Sequence, residues 1–285
     1  MNNILKVDHN QLLAFCRQQV ENDQLSNWLF EKCQSSDDAR SFFVNFGLIG
    51  RKVPRKPIDW DKKIEETLRS VNPPFDRTSW TLDDLCRLSL LLSLDPAHNK
   101  GIISTLLSAA DMREQVIIYK SLAFLSNAAD FNLMAIDGIR TNMVDVFDAI
   151  ALNNIYPFRY FSEDAWNQMV IKAIFMERPI FKIAGLDERK NQKLADILYD
   201  FIHERWSASR QVTPELWRLL SGYVNDLIFA DLQVVLSKDN PLAKEAATKV
   251  LEETNAAKRQ WLEDQGIAGS EHTWDEIGKL IFEKK

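Results

Sequence analysis

Almost every stretch of this chain repeats its apolar residues at three- and four-residue steps, and no stretch alternates them as a half-buried strand would. That regularity restricts the fold to packed helices with almost no strand. Leu82, Leu85, Leu88, Leu91 and Leu92 show the pattern clearly. Only 9 Gly and 9 Pro occur in 285 residues, and no Gly/Ser-rich linker separates the halves. The expectation is one all-α domain over residues 1–285, with a core over about 39–220 and capping helices over 221–285. Helices joined by short turns favour antiparallel pairs. An irregular right-handed α-α superhelix of HEAT-like or tetratricopeptide-like pairs, an α-solenoid, is the first expectation. A compact helical bundle is the alternative.

Local signals place the helix boundaries. An apolar stripe runs over residues 5–30. Asp37 is placed to cap a helix carrying Phe42, Phe43 and Phe46, which Gly47 and Gly50 should break. Thr81 with Asp84, and Asp111 with Glu114, have the spacing of capping boxes. Asp164 precedes a helix over 166–175, and Asp187 precedes a long one ending near 209. Thr213-Pro214 has the cap-then-proline order of another start. Residues 241–261 form the last amphipathic helix.

Composition excludes several function classes. With 46% hydrophobic and 27% charged residues, the chain has the balance of a soluble globular protein. A net charge of −6 argues against nucleic acid as a partner. Cys16, Cys33 and Cys86 are odd in number and lack metal-site spacing, which suits free thiols in the reducing cytoplasm. The first ten residues show no secretory h-region. The longest apolar run lies within 88–94 and is interrupted by Ser89 and Ser93, far short of the ~20 residues of a membrane span.

Between 140 and 220, polar residues that packing does not require recur among Trp, Tyr and Phe. They are Arg140, Asn142, Asn153, Asn154, Tyr156, Asn167, Lys172, Arg189, Asn191, Asp200, Glu204, Arg205 and Arg210. Asn is a middling helix former that usually serves a cap, a turn or a ligand. The set reads as a polar groove in which arginine and amide groups fix a polar head and aromatic faces hold an apolar body. The competing reading is structural. Thr141 or Asn142 can cap a helix, Asn153-Asn154 can close one, and Arg–Glu–Asn networks can fix helix register. The basic loop 51–57 likewise reads as a solvated connector or as an anion clamp. Asp200, His203 and Glu204 lie within about one helical turn and are the weak candidates for acid/base work. No Gly-rich phosphate loop, G-x-S-x-G, H-E-x-x-H or C-x-x-C is present, so neither cofactor nor metal is expected.

Several ordered blocks resemble the EboA family, named for a bacterial gene cluster. They are SFFVNF with the following Arg-Pro loop, WTLDDLCRLSLLL, ADMREQVIIYKSL, RTN with VFDAIA, NNIYPFRYF, NQMVIKAIF, GLDERKN, and ERWSASR with ELWR. Two departures stand out. Ile155 occupies a position where proline is usual, and ERWSASR has serines in place of alanines. The resemblance implies a pathway context, the assembly or export of secondary-metabolite precursors such as that of a cyanobacterial sunscreen, and not a reaction. The expected function is therefore a soluble, cytoplasmic binding or scaffold protein whose partner is a small metabolite or other pathway proteins. An enzyme using the Asp200, His203 and Glu204 cluster, or a purely structural accessory subunit, are the alternatives.

Overall fold

Residues 7–20, 22–33 and 39–283 are described in a computed structural model, and among them there are helices and turns but no strand. The all-helical expectation is met. The helices gather into two compact units, Met1–Ser162 and Glu163–Lys285. Asp37, expected to cap a helix, lies outside the described residues.

The first unit begins with α1 (His9–Gln18) and α2 (Asp23–Cys33). The sequence suggested one apolar stripe here, but the backbone turns between them. Asn22 takes the amides of Gln24 and Leu25 on its side-chain oxygen, at 2.8 and 3.3 Å, and starts a new helix. Next come α3 (Ala39–Lys52), α4 (Lys62–Val71), α5 (Leu82–Leu92), α6 (Asn99–Ala109) and α7 (Met112–Ser121). Both capping boxes form: Asp84 accepts from Thr81 N at 3.1 Å, and Glu114 accepts from Asp111 N at 3.1 Å. Three short helices, α8 (Asn132–Gly138), α9 (Val144–Ala151) and α10 (Tyr156–Tyr160), complete the unit. Its core packs α1 and α3 on α5, and α7 on α9. Phe75 joins the core aromatics, with ring centroids 5.5 Å from both Trp60 and Trp80.

Gly47 and Gly50 do not break α3, contrary to expectation. The buried Arg87 explains why a glycine stands at 50. Its Nε donates to the Phe46 carbonyl at 3.2 Å, and its guanidinium lies 3.5 Å from Asp83 and 3.6 Å from Glu114. A Cβ on Gly50 would stand 2.1 Å from Arg87 Nη2. The cation takes the space a side chain would need. The helix persists because such contacts outweigh the ~1 kcal/mol that glycine costs a helix.

The second unit comprises α11 (Glu163–Phe175), α12 (Gln192–Ser207), α13 (Asp226–Ser237), α14 (Pro241–Glu252), α15 (Ala256–Asp264) and α16 (Trp274–Glu283). Asp164 sits inside the first turn of α11, not before it, and its carboxylate holds Lys193 at 2.6 Å. Asn191, not Asp187, caps α12, accepting from Leu194 N at 2.9 Å. The expected helix over 241–261 is two helices, because Asn255 accepts from Lys258 N at 3.1 Å and starts α15. It is not the last helix, since α16 follows.

A 3-10 segment, Pro214–Leu220, lies at the centre of this unit, packed against α12, α14 and α16. Residues from Glu215 to Ser221 are all buried. A surface α-helix would turn one face to water. This segment has no such face, so its two charged residues are enclosed with Leu216, Trp217, Leu219 and Leu220.

Candidate functional site

Burying Glu215 and Arg218 demands compensation, because an unpaired charge in the interior is costly. Arg218 has it. Its Nε and Nη2 reach the two oxygens of Asp187 at 2.9 and 2.6 Å, and its Nη1 reaches Asp275 at 2.8 Å. Burial pushes the Asp187 carboxyl up, but the hydrogen bonds and charge of Arg218 outweigh it and hold the group below its ordinary value.

Glu215 lacks an equivalent partner. It is 2% exposed, and its Oε1 has no hydrogen-bond partner. Burial raises its pKa to about 8, against the smaller opposing effects of the Arg218 charge and a hydrogen bond from the Phe181 backbone. At neutral pH the group is a protonated carboxylic acid.

Glu215 lines a cavity of about 240 Å³ within the second unit. Ile174, Ile180, Phe201, Val212 and Pro214 supply apolar wall, and Ile281 and Phe282 of α16 contribute more. Arg178, Arg205, Gln211 and Thr213 are among its polar residues. Arg205 is half-buried. Its Nε donates to the Gln211 carbonyl at 2.6 Å, and its guanidinium carbon lies 5.6 Å from the Phe201 ring centre. Among the described residues no carboxylate lies within ion-pair distance of it. A cavity that combines apolar wall, convergent polar groups and a shifted carboxyl has features of a small-molecule site.

Residues 9–221 match the family described as "Metabolite traffic protein EboA". This chain belongs to the EboA family. That membership supports a metabolite-related role. No curated protein and no solved structure matches the chain. The match includes Glu215, Arg218, Arg205 and most of the cavity wall, while Asn240, Ile281 and Phe282 lie beyond it.

The groove residues expected from the sequence are divided between the units of this EboA chain. In the first unit, Arg140 is exposed with Asp137 3.5 Å away, and Asn142 is exposed. Asn153 adopts a left-handed turn at φ 52°. Its carbonyl accepts from the Asn72 amide at 3.0 Å, and Asn72 Oδ1 takes the Ile155 amide at 2.8 Å. Asn154 is buried, donates to the Ala149 carbonyl at 2.9 Å and so closes α9. Tyr156 is 1% exposed and donates its hydroxyl to the Ala128 carbonyl at 2.7 Å.

In the second unit, Asn167 and Asn191 exchange side-chain hydrogen bonds at 3.1 and 2.8 Å. Arg189 lies beside them, its guanidinium 4.6 Å from the Trp166 ring centre. Burial holds its pKa below the ordinary value, against the nearby charge of Glu163. Lys172 is half-buried, and burial lowers its pKa as well. Asp200, Glu204 and Arg210 are exposed. His203 pairs with Asp231 of α13 at 2.8 Å, and the rings of Tyr199 and Trp206 on its own helix lie against it at 4.6 and 5.5 Å between centroids. Among the described residues no group of three His, Cys, Asp or Glu is placed to hold a metal ion, and no helix is long and apolar enough to cross a membrane.

Of the groove set, Arg205 is the residue that lines the cavity. Glu215 was missed. An acid just after Thr-Pro reads as an ordinary first-turn residue on a solvated helix. The available signal was its setting in ELWRLL, where Leu and Trp leave no polar face for the segment to turn outward.

Proposed function

We propose that this EboA chain binds a small metabolite in the cavity of its second unit, and that it serves the assembly or export of a secondary-metabolite precursor without catalysing a reaction on it. The observation that carries this reading is the buried Glu215, a carboxyl of raised pKa in the lining of a cavity that combines apolar wall with polar side chains. A carboxyl there has no role in packing that a Leu or Gln would not fill better. Arg205 is the sequence-expected residue retained for this role. Asn154, Tyr156, Asn167 and Asn191 we assign to the fold, since their polar atoms are satisfied internally. We place the protein in the cytoplasm, a reading supported by three free buried thiols, Cys16, Cys33 and Cys86.

Native mass spectrometry of protein purified gently from its own host tests the reading. The expected result is a small-molecule adduct that disappears in Val212→Trp, which fills the cavity, while the variant keeps its circular dichroism and melting transition. An adduct unaffected by a folded Val212→Trp protein, or bare protein accompanied only by pathway proteins, overturns it. The second outcome favours the accessory-subunit alternative, which draws support from the Asn167–Asn191 pair and the Asn72 clamp on the 153–155 turn.

A further inference from the structure

Resting on the cavity as the binding site, we infer that its ligand is a compact organic anion, an apolar body ending in a carboxylate that Arg205 receives. Two features of the wall point to it. The first is the state of Arg205. The Gln211 carbonyl engages its Nε, and no carboxylate of the described residues neutralises the guanidinium. A ligand carboxylate would supply the charge-assisted partner that Arg218, in the same unit, already has in Asp187.

The second feature is Glu215 itself. Burial dominates its titration, so near neutral pH the carboxyl is a neutral group. It adds no repulsion to an incoming anion. A cationic ligand would instead face the Arg205 guanidinium with no ionised Glu215 to receive it. The volume of about 240 Å³ falls below the roughly 300 Å³ at which drug-sized pockets begin. The body is therefore small, of the order of one ring and a short chain, lying against Phe201 and Phe282.

Three probes with one body and different heads test the class: hydrocinnamate, hydrocinnamamide and phenylpropylammonium. Ligand-observed NMR titration is run with the full chain as wild type, Arg205→Gln, Arg205→Lys and the cavity-filled Val212→Trp. Hydrocinnamate should bind about tenfold more tightly than the amide and more tightly still than the ammonium. It should lose about tenfold in Arg205→Gln, recover part of that in Arg205→Lys, and lose binding in Val212→Trp. If the amide or ammonium binds as well as the acid and is lost in Val212→Trp, the anion class is overturned and the cavity reading stands. If no probe binds, or if binding survives the filled cavity, both are overturned.

Discussion

Glu215 precedes Arg218 by one 3-10 turn in the same buried segment, yet the guanidinium is held by Asp187 and Asp275 and forms no ion pair with that carboxyl. Residues three apart in a 3-10 helix share a side, so proximity alone would pair them. Two aspartates from other parts of the chain win because they reach the guanidinium with three hydrogen bonds and keep part of their own surface in water. The consequence falls on Glu215. The Arg218 charge is already neutralised by the two aspartates, so burial dominates and the Glu215 pKa rises.

This raised value makes a prediction about pH. Glu215 has an ordinary pKa of 4.5 when unfolded and one of about 8 when folded. Between these values the folded state holds the extra proton, so the group's stabilising contribution is present below 4.5 and is lost as pH rises through 8. Glu215→Gln keeps the shape and cannot ionise. Its melting temperature should be close to wild type at pH 5 and higher by ~4 °C or more at pH 9. A pH-independent difference between the two proteins would show that Glu215 titrates normally.

Arg218→Met should destabilise the second unit by about 2–3 kcal/mol, below the full range for breaking a buried pair. The reduction reflects the partners, since Asp187 and Asp275 are 41% and 54% exposed and can turn to solvent. The pH dependence runs opposite to that of Glu215. Arg218 holds the Asp187 pKa below its ordinary 3.8, so this stabilisation is present above 3.8 and fades as pH falls through the lower folded value. Urea unfolding of the two proteins at neutral pH and at pH 3 measures the gap, which should narrow at the acid end.

The sequence made the local chemistry legible. The capping boxes at Thr81 and Asp111 were readable because each is completed within three residues by groups on the same helix. The all-α class followed from spacing alone. What stayed hidden depended on partners distant in the chain. Asp187 looked like the start of α12, but Arg218, 31 positions away, claims it, and the cap passes to Asn191. The expected break at Gly47 and Gly50 failed because Arg87, on another helix, fills the space beside Gly50. At the candidate site Arg205 was visible as an unexplained arginine. Glu215 was not, since first-turn acids are ordinary and only tertiary burial makes this one unusual.

Asn191 performs two tasks, and its removal should cost the sum. Asn191→Ala deletes the α12 cap, worth ~1 kcal/mol, and leaves the amide of Asn167, 3% exposed, without its partner. An orphaned buried amide costs about 1–3 kcal/mol, so a total near 3 kcal/mol is expected from the denaturation midpoint. Asn191→Asp retains the cap oxygen and should lose less. Adding Asn167→Leu to Asn191→Ala removes the orphan and should return part of the loss. If the double variant is no more stable than Asn191→Ala, the amide pair is not what holds α12 to α11.

The buried cation of the first unit gives the sharpest test of packing. Gly50→Ala would gain ~1 kcal/mol from helix propensity if nothing stood in its way. Its methyl instead meets Arg87 Nη2 at 2.1 Å and Cζ at 2.8 Å. Arg87 has little room to retreat, being 5% exposed and bound to the Phe46 carbonyl, Asp83 and Glu114. A net loss of about 2 kcal/mol is therefore expected, as overpacking exceeds propensity. Gly101→Ala in α6, where nothing lies within 4 Å of the new Cβ, should show the propensity gain alone. In an Arg87→Met background the added methyl meets a flexible apolar chain, and Gly50→Ala should cost less there than in wild type. Thermal melts of wild type, the three single variants and the double variant decide the matter, and an undiminished cost in the Arg87→Met background would mean that the clash at Gly50 is with something other than the guanidinium.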